Sequence, residues 1–258
     1  MNSKVKLLIY CNRTNKCHCI LSKMLQKKFD ICSEASKKSV YKILKESTLD
    51  AAVICLNSGS KREIIEFREI EIFAGFLPLL VCTYKLNHDF FLKAAEIGIY
   101  RLLSPEMETE KIILLINDAI NQNDLNKFIE RKFPGCFEKT PYANKVIKII
   151  IRYFPQKLSR KEISKKLNIS SDWLHEKCKE AFNISYTKLV RTIRVYYATR
   201  LIYRTNLDNS EIALSLNYTE ESSLARDFRK VLNLSPTEIR KKLFNTAPQR
   251  LFDNCTLY

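Results

Sequence analysis

The hydrophobic pattern of the chain changes abruptly about halfway along, and this change constrains the fold more than any other feature. Up to about residue 120, short apolar runs such as Ala51 to Leu56 alternate with amphipathic stretches of helical periodicity. Five such alternations predict a doubly wound α/β domain with a parallel sheet covered on both faces. From Tyr142 onward the strand-like runs largely vanish, which predicts an all-α domain.

The two patterns also predict the domain boundaries. The stretch between them is polar at its start and later carries Pro134-Gly135 and Thr140-Pro141, which favour turns. We expect a flavodoxin-like α/β domain over residues 1–122, a partly helical linker over 123–143, the all-α domain over 144–244 and a tail over 245–258.

Capping residues indicate where several helices begin. Ser104-Pro105 predicts the start of the last helix of the first domain, with serine as N-cap and proline at the first helical position. In the second domain, Ser159 with Glu162 and Asp208 with Glu211 have the spacing of a capping box.

Basic residues are concentrated in the second half of the chain. Residues 1–125 hold 18 Lys+Arg and 15 Asp+Glu, whereas residues 126–258 hold the remaining 26 and 13 of a chain with net charge +16. Such a basic domain beside a near-neutral one suggests a polyanionic partner. A solvated lysine-rich surface would give the same balance, so charge alone leaves the function open.

Several classes of function are disfavoured by what the sequence lacks. It has no Gly-rich phosphate loop, only three histidines and no paired acids beside a nucleophile, so we expect no enzymatic activity and no cofactor. Apolar runs such as Ile112 to Ile116 are too short to cross a bilayer, and no secretory leader opens the chain. These features predict a cytoplasmic protein that has no contact with membranes.

The cysteines leave a further alternative open. Nine thiols, an odd number, in a protein expected to stay in the cytoplasm indicate reduced side chains rather than disulfides. A soft-metal or redox sensor could be built from Cys17-His18-Cys19 with Cys11, Cys32 and Cys55. However, there is no CxxC pair, and Cys17 and Cys19 point to different sides of a helix, so we expect no metal site.

One arrangement of helices occurs twice in the second domain. A short helix, a turn beginning with asparagine and a longer amphipathic helix together form a helix-turn-helix unit. The first unit spans Lys161–Leu167, Asn168-Ile169-Ser170 and Ser171–Ala181, and the second spans Glu211–Leu216, Asn217-Tyr218-Thr219 and Glu220–Leu232. Asparagine tolerates the left-handed conformation that such turns require. A long helix over Tyr186–Tyr203 would place the two second helices in successive major grooves on one face of DNA.

Specific residues of this repeat carry a resemblance to a known family. They are Ile163 to Leu167, Trp173-Leu174, Lys179 to Phe182, Arg194, Ala198, Leu201-Ile202, Thr205, Glu211-Ile212-Ala213, Asn217-Tyr218, Ser222, Leu224, Phe228-Arg229-Lys230, Leu234-Ser235-Pro236 and Arg240. In this pattern the stretch from Lys161 to Leu243 resembles the DNA-binding domain of the AraC/XylS family of bacterial transcription regulators. It departs from the family at Asn183 and Asn217, where glycine is usual, and at Leu224, where phenylalanine is usual.

The resemblance implies roles for the side chains of the repeat. The exposed positions that would read base edges are Asp172, His175, Glu176, Glu221, Ser222, Ala225 and Arg226. Among them Arg226 is suited to a bidentate contact with guanine, whereas the carboxylates can only accept, for instance from cytosine N4. The side chains expected to hold phosphates are Lys165, Lys166, Lys177, Lys179, Lys188, Arg191, Arg229 and Lys230. The residues expected in the core are Trp173, Leu174, Phe182, Ile212, Ala213 and Phe228.

The first domain resembles the receiver domain of response regulators. The matching residues are Pro78 through Thr83, Ala94, Ala95, Gly98, Tyr100 and Ser104-Pro105. Such a domain needs acidic residues after strand one, a phosphoacceptor aspartate ending strand three and a lysine after strand five. Here the pocket would be formed by Cys11, Asn12, Cys55, Thr83 and Ser104. The resemblance therefore implies a degenerate receiver with neither metal site nor phosphoacceptor.

These features support a sequence-specific DNA-binding transcription regulator that acts on double-stranded DNA, with a homodimer suited to paired sites. The receiver-like domain would serve dimerisation or binding of a regulatory protein, with small-ligand sensing as the runner-up. The alternative is a protein-interaction regulator that keeps the fold but binds DNA weakly, because acidic residues occupy the reading helices.

The missing carboxylates generate the first testable prediction. Incubation of the purified protein with acetyl phosphate or a histidine kinase should leave the first domain unlabelled, since Cys55 replaces the phosphoacceptor. Phosphate incorporation can be followed by intact-protein mass spectrometry beside an active receiver protein as a positive control. Stable labelling of Asp50 or of any other aspartate would contradict the prediction.

Overall fold

A computed structural model describes residues 4–11, 17–46, 49–57, 59–84, 88–96, 99, 101–121, 123–155 and 159–242. The chain divides into two compact units, Met1–Asn123 and Asp124–Tyr258. The expected tail over 245–258 lies outside the described residues, as do Gly98 and Tyr100 of the receiver-like pattern. No helix among the described residues is both long and apolar enough to span a membrane.

The first unit alternates strands with helices along its length. Its elements are β1 (Lys6–Cys11), α1 (Cys17–Leu25), β2 (Asp30–Glu34), α2 (Lys37–Glu46), β3 (Ala51–Cys55), α3 (Lys61–Ala74), β4 (Leu79–Cys82), α4 (His88–Glu96), β5 (Leu102–Leu103) and α5 (Thr109–Asn121). Strands β1 and β3 are buried almost throughout, as expected for strands with helices on both faces.

All the strand pairs of this sheet are parallel. The strand order is β2-β1-β3-β4-β5, which is the flavodoxin-like order. Helices α1 and α5 pack with Ile112 and Leu21 on one face, and α2, α3 and α4 pack with Val40 and Phe67 on the other. The predicted doubly wound α/β fold is therefore confirmed.

The predicted start of the last helix of this unit is wrong. Ser104-Pro105 forms a turn, in which the Met107 N–H donates to the Ser104 carbonyl at 3.1 Å. The Ser104 hydroxyl accepts from the Glu106 N–H at 3.2 Å, so it stabilises this turn instead of a helix N-terminus. Helix α5 begins four residues later, at Thr109.

The second unit consists of helices throughout its described residues. They are α6 (Asp124–Lys132), α7 (Cys136–Lys139), α8 (Pro141–Tyr153), α9 (Arg160–Leu167), α10 (Ser171–Phe182), α11 (Tyr186–Arg204), α12 (Asn209–Ser215), α13 (Glu221–Leu232) and α14 (Pro236–Lys242). The predicted all-α fold of this half is therefore confirmed. Both predicted capping boxes are formed, at Ser159 with Glu162 and at Asp208 with Glu211.

The segment expected to be a linker packs within this helical unit. The Phe128 ring of α6 stacks on Tyr196 of α11 at 3.8 Å between centroids, and Asp124 accepts from Arg200 at 3.0 Å. The Phe133 ring meets Phe182 edge-on at 5.5 Å. The polar composition of residues 121–124 and the nearby turn residues indicate a spacer, but these aromatic contacts come from distant parts of the sequence.

Four asparagines adopt the left-handed backbone conformation. Asn168, Asn183, Asn217 and Asn233 have φ values of 54° to 55°. Asn168, Asn183 and Asn233 end helices α9, α10 and α13. Asparagine enters this region more easily than other residues with a Cβ, so it can replace the glycine that is usual at some of these positions.

Candidate nucleic-acid interface

Two helix-turn-helix units lie on either side of the long helix α11. In the first helix-turn-helix unit, α9 leads into α10, and the Ile169 N–H donates to the Ser164 carbonyl at 3.0 Å across the turn. In the second unit α12 leads into α13, and the Tyr218 N–H donates to the Ala213 carbonyl at 2.9 Å. Both turns therefore use the same type of hydrogen bond, from an N–H to the carbonyl five residues earlier.

Matching residues of the two units are buried alike. Leu174 of α10 and Leu224 of α13 are both fully buried, as are Cys178 and Phe228 four residues later. The opposite faces of the two helices are therefore directed to solvent. The predicted base-reading positions on these faces are exposed at Asp172, Glu176, Glu221, Ser222 and Arg226, and half-buried at His175 and Ala225.

Trp173 differs from the other predicted core residues. Leu174, Phe182, Ile212, Ala213 and Phe228 are buried as expected, whereas Trp173 is only half-buried. Its ring meets Tyr142 edge-on at 4.3 Å, and the Lys177 ammonium lies 5.3 Å from the ring centroid. The indole therefore packs between α10 and Tyr142 of α8 and remains partly exposed.

A network of charged and aromatic side chains joins α13 to α11. The Arg191 Nε donates to Asp227 Oδ1 at 2.8 Å, and the Tyr218 hydroxyl donates to Asp227 Oδ2 at 3.0 Å. The Arg194 guanidinium lies 3.8 Å from the Tyr218 ring centroid and donates to the Leu216 carbonyl. Burial raises the pKa of the Tyr218 hydroxyl, so it stays protonated and donates to the carboxylate.

The sequence did not predict this network. Arg191 was expected to contact phosphate, and the structure shows its guanidinium in an ion pair with Asp227, a residue 36 positions away. No local pattern relates residues at such a distance. Arg194 and Tyr218 belong to the family pattern, and that is the only signal that pointed to them.

The other predicted phosphate contacts fall into two groups. Lys165, Lys179, Arg229 and Lys230 are exposed. Lys166 lies over the Tyr153 ring at 3.9 Å, Lys177 pairs with Glu180 at 2.5 Å, and Lys188 is half-buried. The first group is available to a polyanion without rearrangement, whereas Lys166 and Lys177 must give up a contact within the protein.

Two glutamates at the start of α13 bind hydroxyl groups of the second unit. The Ser210 hydroxyl donates to Glu221 Oε2 at 2.7 Å, and the Ser222 hydroxyl donates to Glu220 Oε2 at 2.8 Å. These carboxylates also lie at a helix N-terminus, where the helix dipole favours negative charge. Arg226 has no ion pair or hydrogen bond from its side chain to the described residues, so its guanidinium is directed to solvent.

Four of the five residues expected to form a degenerate receiver pocket are described, and all four are buried. Cys11 pairs in register with Cys55, and Cys55 pairs with Cys82 on the next strand, at the carboxyl ends of β1, β3 and β4. These three thiols, Thr83 and Ser104 are each at most 4% exposed. Asn12 and the side chains of Cys17-His18-Cys19 lie outside the described residues, and within those described no three His, Cys, Asp or Glu side chains could hold a metal ion together.

A shallow groove of about 650 Å³ lies between α2 and α3, beside this end of the sheet. It is lined by Tyr10, Ala35, Lys37, Lys61, Arg62, Ile65, Glu66 and Glu69. The Tyr10 hydroxyl donates to Glu66, and Lys37 forms an ion pair with Glu69. Two of the three cations, Lys61 and Arg62, are exposed on its rim.

Comparisons with known proteins agree with the architecture of the second unit. Residues 163–242 match a family model described as a helix-turn-helix domain. The chain is 27% identical over 104 residues to the Msm operon regulatory protein of Streptococcus mutans and 25% identical over 100 residues to the uncharacterized HTH-type transcriptional regulator YtdP of Bacillus subtilis. These matches cover 40% and 39% of this chain, but the chain spans only 37% and 13% of the two relatives.

Two solved structures are among those similar to this chain. The C-terminal domain of AraT, a response regulator from Geobacillus stearothermophilus, is 27% identical with a TM-score of 0.38, and the match covers 40% of this chain and 87% of that one. Full-length FixJ from B. japonicum is 16% identical with a TM-score of 0.42, and the match covers 88% and 97%. Because both scores are below 0.5, the fold assignment depends on the strand order and helix geometry described above.

The family match lies within the second unit and includes both turns, both recognition helices and helix α11. Residues 163–242 of this chain therefore form a helix-turn-helix domain.

Proposed function

We propose that this protein is a sequence-specific DNA-binding transcription regulator. The observation that carries the proposal is the pair of matched helices, α10 and α13, each with its reading face exposed and its opposite face buried. Helix α11, which lies between the units, has 19 residues and is therefore about 28 Å long. That length is close to one turn of B-DNA, about 34 Å, so the two helices can enter successive major grooves.

Charge supplies the affinity in this proposal. The second half of the chain carries twice as many basic as acidic residues, and Lys165, Lys179, Arg229 and Lys230 are exposed around the two units. Such side chains neutralise phosphates and release counterions, which strengthens binding without selecting a sequence. Selection would come from the reading faces, above all from Arg226, which can bind guanine O6 and N7 together.

The receiver-like unit would serve dimerisation in place of phosphorylation. Helices α4 and α5 each carry two exposed apolar side chains, Phe91 with Leu92 and Leu114 with Leu115. The two helices cover opposite faces of the sheet and flank β5, which pairs only with β4 among the described strands. A second copy of this chain is the occupant we propose for this edge, since paired DNA sites match a two-fold dimer.

Two other functions have an observation in their favour. A regulator that acts mainly by binding proteins is suggested by Asp172 and Glu176, which are exposed on α10 and would be repelled by phosphates. Ligand sensing by the α/β unit is suggested by the groove between α2 and α3, with Lys61 and Arg62 at its rim. The salt dependence of DNA binding separates the first of these from the proposed function, because a protein partner need not show a steep salt slope.

Selection from a random DNA library tests the proposed function directly. The full-length protein at moderate salt should enrich two short elements about one helical turn apart. Arg226→Ala should lose preference at one base position, at a cost of about 1–3 kcal/mol. Lys230→Ala, on the same helix, is the control, because loss of a phosphate contact should weaken binding equally on all sequences. No enrichment even at low salt would favour the protein-interaction alternative.

The ion pair between Arg191 and Asp227 makes a second prediction about DNA binding. If Arg191 positions α13, Arg191→Ala and Asp227→Asn should both weaken discrimination at the second element and leave the salt slope unchanged. Lys165→Ala is the matched control, and should lower the slope of log K against log salt by about 0.9. A similar fall in slope with Arg191→Ala, with base preference intact, would instead show that Arg191 neutralises a phosphate.

Sedimentation equilibrium tests the proposed dimer. Leu114→Glu places a charge on the apolar face of α5 and should shift the protein towards monomer. The unfolding midpoint should change little, because the side chain is already 68% exposed. Leu214→Glu is the control, since this equally large side chain is 77% exposed on α12, which belongs to the helical unit. A wild-type protein that is monomeric at concentrations where it binds DNA would refute the dimer.

A further inference from the structure

The two recognition helices carry opposite charges at the same structural position. Counting from the buried Leu174 and Leu224, Glu176 of α10 corresponds to Arg226 of α13. The correspondence is geometric as well as sequential, because α10 and α13 have equal lengths of 12 residues and both end at an asparagine with φ of 55°. A side chain that can only accept hydrogen bonds therefore stands in the first unit where the second has one that can only donate.

The acidic side of α10 extends over one turn of the helix. Asp172 and Glu176 are four residues apart, so their side chains lie on the same side, and both are exposed. Neither carboxylate forms an ion pair or hydrogen bond with another described side chain. Lys177, the adjacent cation, pairs with Glu180 at 2.5 Å and lies against Trp173. The reading face of the first helix-turn-helix unit thus carries two exposed carboxylates that form no ion pair with a described side chain.

DNA offers a carboxylate few favourable partners. Phosphates repel it, and most polar atoms at the edges of the major groove are acceptors. The donors there are the amino groups of cytosine N4 and adenine N6, and acidic side chains characteristically accept from cytosine N4. A first element without an amino group at this position would leave the carboxylate desolvated and unpaired, which is costly. The cost of leaving the carboxylate unpaired therefore discriminates against DNA sequences that lack an amino group at this position.

We infer that the two DNA elements differ in hydrogen-bond polarity. The first helix-turn-helix unit contacts cytosine amino groups through Glu176, assisted by Asp172. The second helix-turn-helix unit contacts guanine acceptors through Arg226. This inference rests on the proposed function and deepens it, because it names the base chemistry that each unit recognises. It also gives the acidic residues of α10 a role in DNA recognition. In the protein-interaction alternative, the same residues weaken DNA binding because phosphates repel them.

Exchange of the side chain at the matched position tests the inference. Library selections would be carried out with the wild-type full-length protein and with Glu176→Arg and Glu176→Gln variants. The wild type should prefer cytosine at one position of the first element, and Glu176→Arg should change that preference to guanine. The expected change in base preference is roughly 5- to 150-fold, the range for one good base contact. Glu176→Gln should shift it towards adenine, which glutamine binds through N6 and N7.

The control separates base reading from a general effect of charge. Glu138→Gln removes one exposed carboxylate from α7, outside the two recognition helices, and should change affinity only slightly and equally for all sequences. If Glu176→Arg raises affinity equally for all sequences without changing the preferred base, the inference is overturned and the proposed function stands. If the wild type enriches no element at all, both fail together. Because Glu176 is exposed, thermal unfolding of the variants should match that of the wild type.

Discussion

The burial of helix α11 is the constraint on which both helix-turn-helix units depend. Eleven of its 19 residues are buried, on all sides of the helix, so it forms the centre of the second unit rather than one wall. Each large apolar side chain fully buried there contributes about 1.5–3 kcal/mol. Two buried threonines, Thr192 and Thr199, satisfy their hydroxyls by donating to carbonyls four residues earlier, at 2.9 Å in each case. Both units pack on this helix, and their separation is therefore fixed by it.

The two units are attached to this centre by different interactions. The second unit adds a polar network to its apolar packing, in which Asp227 accepts from Arg191 and from Tyr218. The first helix-turn-helix unit has Lys177 at the position that corresponds to Asp227. The Lys177 ammonium donates a hydrogen bond to Glu180 within the same helix. Charge-assisted hydrogen bonds therefore add to the apolar packing that orients α13. The two recognition helices thus differ both in the polar contacts that attach them and in the charge of their reading faces.

The α/β unit has a flavodoxin-like strand order, and the ends of three of its strands carry cysteines. A parallel sheet with helices on both faces needs buried apolar strands, and β1 and β3 are buried almost throughout. The carboxyl ends of the strands, where such folds usually bind ligands, carry the thiols of Cys11, Cys55 and Cys82 instead of charged groups. Thiols of this kind behave as small apolar side chains and fill the space without requiring a metal or a charge partner.

The sequence by itself determined the elements and their classes. Alternating apolar runs gave the α/β unit, the capping boxes gave helix starts at Ser159 and Asp208, and the repeated pattern gave both helix-turn-helix units with the solvent-exposed faces of α10 and α13. These features depend on residues within a few positions of one another, which a sequence displays directly. The tertiary structure decided what depends on distant residues: the packing of α6 on α11 through Phe128 and Tyr196, and the pairing of Arg191 with Asp227. Such contacts have no local signal, because they form only when the packing of buried helices brings the side chains together.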